Sequence, residues 1–95
     1  MLPQLDRPTV HYTELREMPP DSALYHEWHT YLAELPRWLA EGMEGKFVLI
    51  KATEVIGFFD NWDSAYEIVA QRFAIEGALI HQIREREPLY RTRAV

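Results

Sequence analysis

Cysteine is missing altogether from the 95 residues, which excludes disulfide staples and thiolate metal sites and fits a reducing compartment. Glycine is scarce, and Gly42, Gly45, Gly57 and Gly77 form no cluster that could cradle a phosphate. Serine occurs only at Ser22 and Ser64, both at expected helix starts, so nucleophilic catalysis has little to build on. No apolar run approaches the roughly 18–20 residues of a membrane span. The first eight residues lack a basic region followed by an apolar one, so no secretion signal is expected and the cytoplasm is the default location.

What is present suits one small domain. Hydrophobic residues make up 47% and aromatics 13% of the chain, enough for a single core at this length and too much for a wholly disordered polymer. The net charge of −5 is unevenly placed: residues 1–83 hold thirteen acidic and six basic side chains, whereas residues 84–95 carry four arginines against two glutamates. An acidic body repels phosphate backbones, so nucleic acid is not an expected partner.

Residues 1–20 contain Pro3, Pro8, Pro19 and Pro20 and read as an extended N-terminal arm, with Thr9–Thr13 prone to strand. Asp21-Ser22 offers a helix cap. Leu24, Trp28, Tyr31, Leu32, Leu35, Trp38 and Leu39 then recur at three- and four-residue steps. Pro36 either kinks that helix or opens a second one. Lys46–Lys51 is an apolar run bracketed by lysines, too short for a helix core and suited to a strand buried on both faces. Glu54–Phe59 follows after Ala52-Thr53, which predicts a hairpin. Asp60 or Asn61 caps the next helix, which Gly77 ends, and residues 78–83 form a third strand. Residues 84–95 are expected as a basic, solvated tail that Leu89-Tyr90 pins back to the body.

The order arm, helix, strand, strand, helix, strand, tail defines an α+β fold. With the third strand beside the first, the sheet order is 2-1-3, every neighbour is antiparallel, and the most apolar run lies in the middle. Both helices are expected on one face, which leaves the other for the arm or a second copy of the chain.

At Gly45-Lys-Phe-Val-Leu-Ile50, Val55-Ile-Gly57, Asp60 and Ala65 the chain resembles a bacterial family of small domains of unknown function. Leu35-Pro36 matches that family's leading helix, and Leu79–Ile83 its last strand; the similarity spans roughly residues 31–83. A glycine or aspartate expected between the first two strands is absent here. Such domains are often encoded near retropepsin-like aspartyl proteases, and the resemblance therefore implies an accessory or partner role, with no catalytic residues to carry over.

His26 and His29 are three apart on one helix and are the candidate metal ligands, with His11, His81 or a carboxylate as a third donor. Their spacing is not the H-E-x-x-H of zinc proteases, and surface or half-buried histidines are the plainer reading. Asp60 and Asp63 suit helix capping better than paired acid–base work. No cofactor or catalytic residue is expected. The aromatics are the stronger signal, because tryptophan and tyrosine anchor interfaces. Trp28 and Trp62 are assigned to the core; Tyr12, Tyr25, Trp38, Tyr66, Tyr90 and Arg91 are the expected interface. The resulting expectation is a non-catalytic, self-associating interaction module, a homodimer that accompanies a larger enzyme. The alternatives are a small-molecule or metal site around the histidines, and an antitoxin-like inhibitor of a partner enzyme.

Overall fold

A computed structural model describes residues 9–15 and 19–88. The elements are β1 (Thr9–His11), α1 (Tyr25–Ala40), β2 (Phe47–Lys51), β3 (Glu54–Phe59), α2 (Trp62–Arg72), β4 (Leu79–Gln82) and β5 (Arg86–Pro88), with a short 3-10 turn at Tyr12–Glu14. The fold is α+β. Its main sheet has the order β3-β2-β4 with antiparallel neighbours, and β1 pairs with β5 in a separate two-stranded ribbon. The predicted 2-1-3 arrangement, with the apolar run at its centre, is the observed one.

Strand alternation explains where the core lies. Val48 and Ile50 join Tyr31, Leu35, Trp38 and Ile83 in one buried cluster against α1. Leu49 points the opposite way and is also buried, as is Ala65 of α2, which packs on β2, β3 and β4. The two helices therefore cover opposite faces of the sheet. The expectation that both lie on one face is incorrect, and with it goes the bare sheet face that motivated self-association. The physical reason was already in the residues: a strand apolar at three successive positions needs cover on both sides.

α1 is one continuous helix through Pro36. It starts at Tyr25, with Leu24 at the cap position making no side-chain cap bond; Ser22 belongs instead to the preceding turn, its carbonyl accepting from the Tyr25 amide at 3.2 Å. α2 stops at Arg72, and Gly77, with φ of 77°, closes the turn after it by donating to the Phe73 carbonyl at 2.7 Å.

The hairpin between β2 and β3 closes with Lys51 opposite Glu54, so Ala52-Thr53 is the loop. Ala52 has φ of 58°, a left-handed conformation that costs a non-glycine residue about 1–2 kcal/mol. α1 holds it there. The Glu27 carboxylate, only 7% exposed, accepts the Ala52 amide at 2.7 Å, and the Thr30 hydroxyl donates to the Ala52 carbonyl at 3.3 Å.

The described parts of the arm and of the tail pair with each other. β1 is a strand paired with β5 in register Val10–Glu87, so residues 86–88 belong to the folded body and not to a solvated tail. Arg86 donates to the Thr9 hydroxyl at 2.8 Å and to its carbonyl at 3.1 Å. The expected contact of Leu89-Tyr90 lies outside the described residues.

Candidate protein-binding groove

Asn61 sets the first turn of α2: its Oδ1 accepts the Ser64 amide at 2.8 Å, satisfying one of the free N–H groups of a helix start. Asp60, the other expected cap, instead accepts from Lys46 Nζ at 2.8 Å. That hydrogen bond and the lysine's charge hold the Asp60 carboxyl below the usual carboxylate range.

On the turn so started, Trp62 and Tyr66 are one helical step of four apart and share a face. Their rings stack with centroids 5.0 Å apart and planes inclined by 11°. The pair is out in solvent, Trp62 at 47% and Tyr66 at 49% exposure. Beneath it opens a cavity of about 300 Å³ bounded by Leu24, Trp62, Tyr66 and Val69 on one side and residues 77–80 on the other. Its walls are mainly apolar by residue type, with an aromatic ledge at the mouth.

The far wall is an edge strand. β4 pairs with β2 alone among the described residues. The Ile83 amide donates inward to the Lys46 carbonyl at 2.8 Å. Alternation along an antiparallel ladder then turns the backbone groups of Ile80 and Gln82 to the outer edge. The Tyr31 hydroxyl donates to the Gln82 carbonyl at 3.3 Å, which closes the lower end of that edge. The upper end, at Ile80, borders the cavity. Apolar depth, an aromatic rim and outward backbone donors and acceptors are thus combined in one place, the arrangement that receives an extended peptide.

A second polar constellation sits on the other face. Glu87, 6% exposed, accepts from His81 Nε2 at 2.9 Å and shares the Tyr31 hydroxyl proton with the Gln82 carbonyl, its own oxygen 3.4 Å from Oη, with Arg84 Nε 3.7 Å away. Arg84 Nε is buried without a hydrogen-bond partner, and its charge is answered by that carboxylate. Burial pushes the Tyr31 phenol well above the ordinary tyrosine range, with the Glu87 charge adding to the effect, so the hydroxyl remains a neutral donor. Tyr31 itself is fully buried. The cluster is a clasp: it ties β5 to α1 and β4, and it satisfies a buried carboxylate that unpaired would cost several kcal/mol.

The predicted site residues scatter. Tyr66 is on the ledge as an exposed aromatic. Tyr12 packs half-buried against the α1 cluster, on the opposite face of the sheet. Tyr25 packs at a tilt against His29 at 4.3 Å and edge-on against His26 at 5.3 Å. Trp38 is 1% exposed, wedged edge-on against Phe58 at 5.3 Å; its expected place in an interface is incorrect, because its face of the helix meets β3. Trp62, assigned to the core, is instead exposed. Tyr90 and Arg91 lie outside the described residues. His26 is exposed and His29 half-buried, His81 is engaged by Glu87, and no group of three metal-ligating side chains occurs among the described residues. The groove walls at Leu24, Val69 and Ile80 were missed, since no local pattern announces that they converge. Glu27, by contrast, occupies a position four before Tyr31 on the apolar stripe, and that spacing was a legible sign of a buried carboxylate.

No described helix is long and apolar enough to cross a membrane. No protein-family model matches the chain, and neither the curated proteins nor the solved structures contain a match.

Proposed function

We propose that the chain is a protein-interaction module that receives an extended segment of another polypeptide along the outer edge of β4, with an apolar side chain seated between β4 and α2. The observation that carries this reading is the exposed Trp62–Tyr66 stack at the mouth of an apolar cavity beside a strand whose outer edge pairs with no other strand among the described residues. Seating one leucine-sized side chain there is worth about 1.5–3 kcal/mol, and backbone pairing at Ile80 supplies direction and register. The resemblance to domains encoded near retropepsin-like proteases supports an accessory role beside a larger partner. A second copy of this chain is the less favoured occupant, because each copy carries −5 and like charges oppose association.

A randomised decapeptide display selection against the full chain tests the proposal. Selected peptides are expected to weaken at least tenfold on Trp62→Ser and on Val69→Glu, and to lose binding when alternate backbone nitrogens of the peptide are methylated. Peptides that bind the Val69→Glu chain undiminished contradict it.

A further inference from the structure

The charges around the groove narrow what it takes. Asp63 and Glu67 each follow one residue after Trp62 and Tyr66, about 100° further round α2, and stand exposed on the solvent side of the aromatic ledge. Asp21 is exposed in the turn that leads to Leu24, and Glu76 is exposed just before Gly77. Each segment that lines the cavity thus has an exposed carboxylate within three residues of a lining side chain. Lys51 lies 3.6 Å from Glu76, and the Arg72 guanidinium is turned over the Phe73 ring at 5.1 Å.

From this we infer that the segment bound in the groove is cationic: an extended stretch of a partner protein that places an apolar side chain in the cavity and an Arg or Lys two residues away. The inference rests on the interaction reading above and adds the partner's chemistry. Residues two apart in a strand lie on the same side, so the long aliphatic stem of that Arg or Lys lies across the Trp62–Tyr66 ledge while its charge reaches Asp63 and Glu67. The two features are independent and select the same group. Exposed aromatic faces attract cations, and so do the carboxylates behind them. A two-fold pairing of this chain through β4 brings two acidic borders together, which is why the occupant is a different protein.

The test uses the full chain and three synthetic ten-residue peptides in which one strand face alternates Leu with a residue two positions on, that residue being Lys, Ser or Glu throughout, while the other face is all Thr. Affinities are read from Trp62-sensitive fluorescence in 20 and 300 mM NaCl. The Lys peptide is expected to bind about tenfold more tightly than the Ser peptide at low salt, with the Glu peptide weakest. The advantage is expected to shrink at high salt and to disappear in an Asp63→Asn, Glu67→Gln double variant. Equal affinity for Lys and Ser peptides, or a lysine advantage that survives the double variant, overturns the inference and leaves the interaction module standing. Failure of all three peptides to bind removes both. A concentration-dependent dimer in light scattering that Val69→Glu abolishes assigns the groove to a second copy and also overturns the inference.

Discussion

Replacing Glu27 with alanine cuts the strap between α1 and the β2–β3 turn. Glu27 Oε2 accepts the Ala52 amide at 2.7 Å, and its side chain is nearly closed off from solvent. A hydrogen bond to a charged group is worth about 1.5–3 kcal/mol, and the substitution also leaves the Ala52 amide unpaired in a left-handed residue. The expected loss is about 2 kcal/mol, which for a domain of this size lowers Tm by roughly 8–16 °C. Urea unfolding with both variants at the same pH is the appropriate assay, because the midpoint moves while the slope stays fixed if only stability changes. Glu27→Gln keeps an acceptor without the charge and is expected to lose about half as much. A Glu27→Ala loss below about 0.5 kcal/mol, the range of an ordinary surface change, refutes the strap.

Three further outcomes follow from the same structure. Ala52→Gly relieves the left-handed strain of about 1–2 kcal/mol and gives back about 0.4–1 kcal/mol in chain entropy, so a net gain of about 0.5–1 kcal/mol is expected in thermal unfolding; a loss contradicts the observed backbone. Leu49→Ala is expected to cost about 2–5 kcal/mol, since α2 seals that face, and a cost near zero in the same measurement means that the face is open. The Asp60 carboxyl, held below its ordinary range by Lys46, contributes stability above about pH 4 that is lost as pH falls through its depressed value in the folded state. The stability gap between wild type and Lys46→Met is therefore expected at neutral pH and should narrow as pH falls below about 4, with a gap unchanged in acid arguing against the pairing.

Much of the frame was legible in the residues. Phe47–Ile50 between two lysines marks the central strand, and placing it centrally is enough to yield the observed strand order. The hairpin followed from its flanks even though Ala52-Thr53 is poor turn chemistry; a carboxylate from a helix 25 residues earlier in the chain props that turn, and no local signal carries such a bond. The faces taken by the two helices were not legible from their periodicity, which tells which side of a helix is apolar but not which side of a sheet it meets. The strand was the better witness, being apolar on both faces.

The site was legible only in its chemistry. An excess of tryptophan and tyrosine suggested a contact surface, and Tyr66 lines the candidate groove. Trp38 falls in line with Tyr31 and Leu35 on the buried face of α1, whereas Trp62 lies at the flank of the α2 stripe and is exposed; the centre of a stripe is hard to fix from periodicity alone. Glu87 gave no warning at all. Its partners Tyr31 and His81 come from other elements, and the burial that makes them meet is a property of the closed fold.

In the proposed function, β4 and α2 act together as a receptor for an extended chain. Amide shifts of the 15N-labelled protein, followed as a selected decapeptide is titrated in, test this most directly. The expected perturbations centre on Leu79, Ile80 and Val69 and on the Trp62 indole, with the Ile80 amide newly protected from exchange. Perturbations confined to the β1–β5 ribbon and the His81–Glu87 clasp, with Ile80 and Trp62 unmoved, contradict the claim.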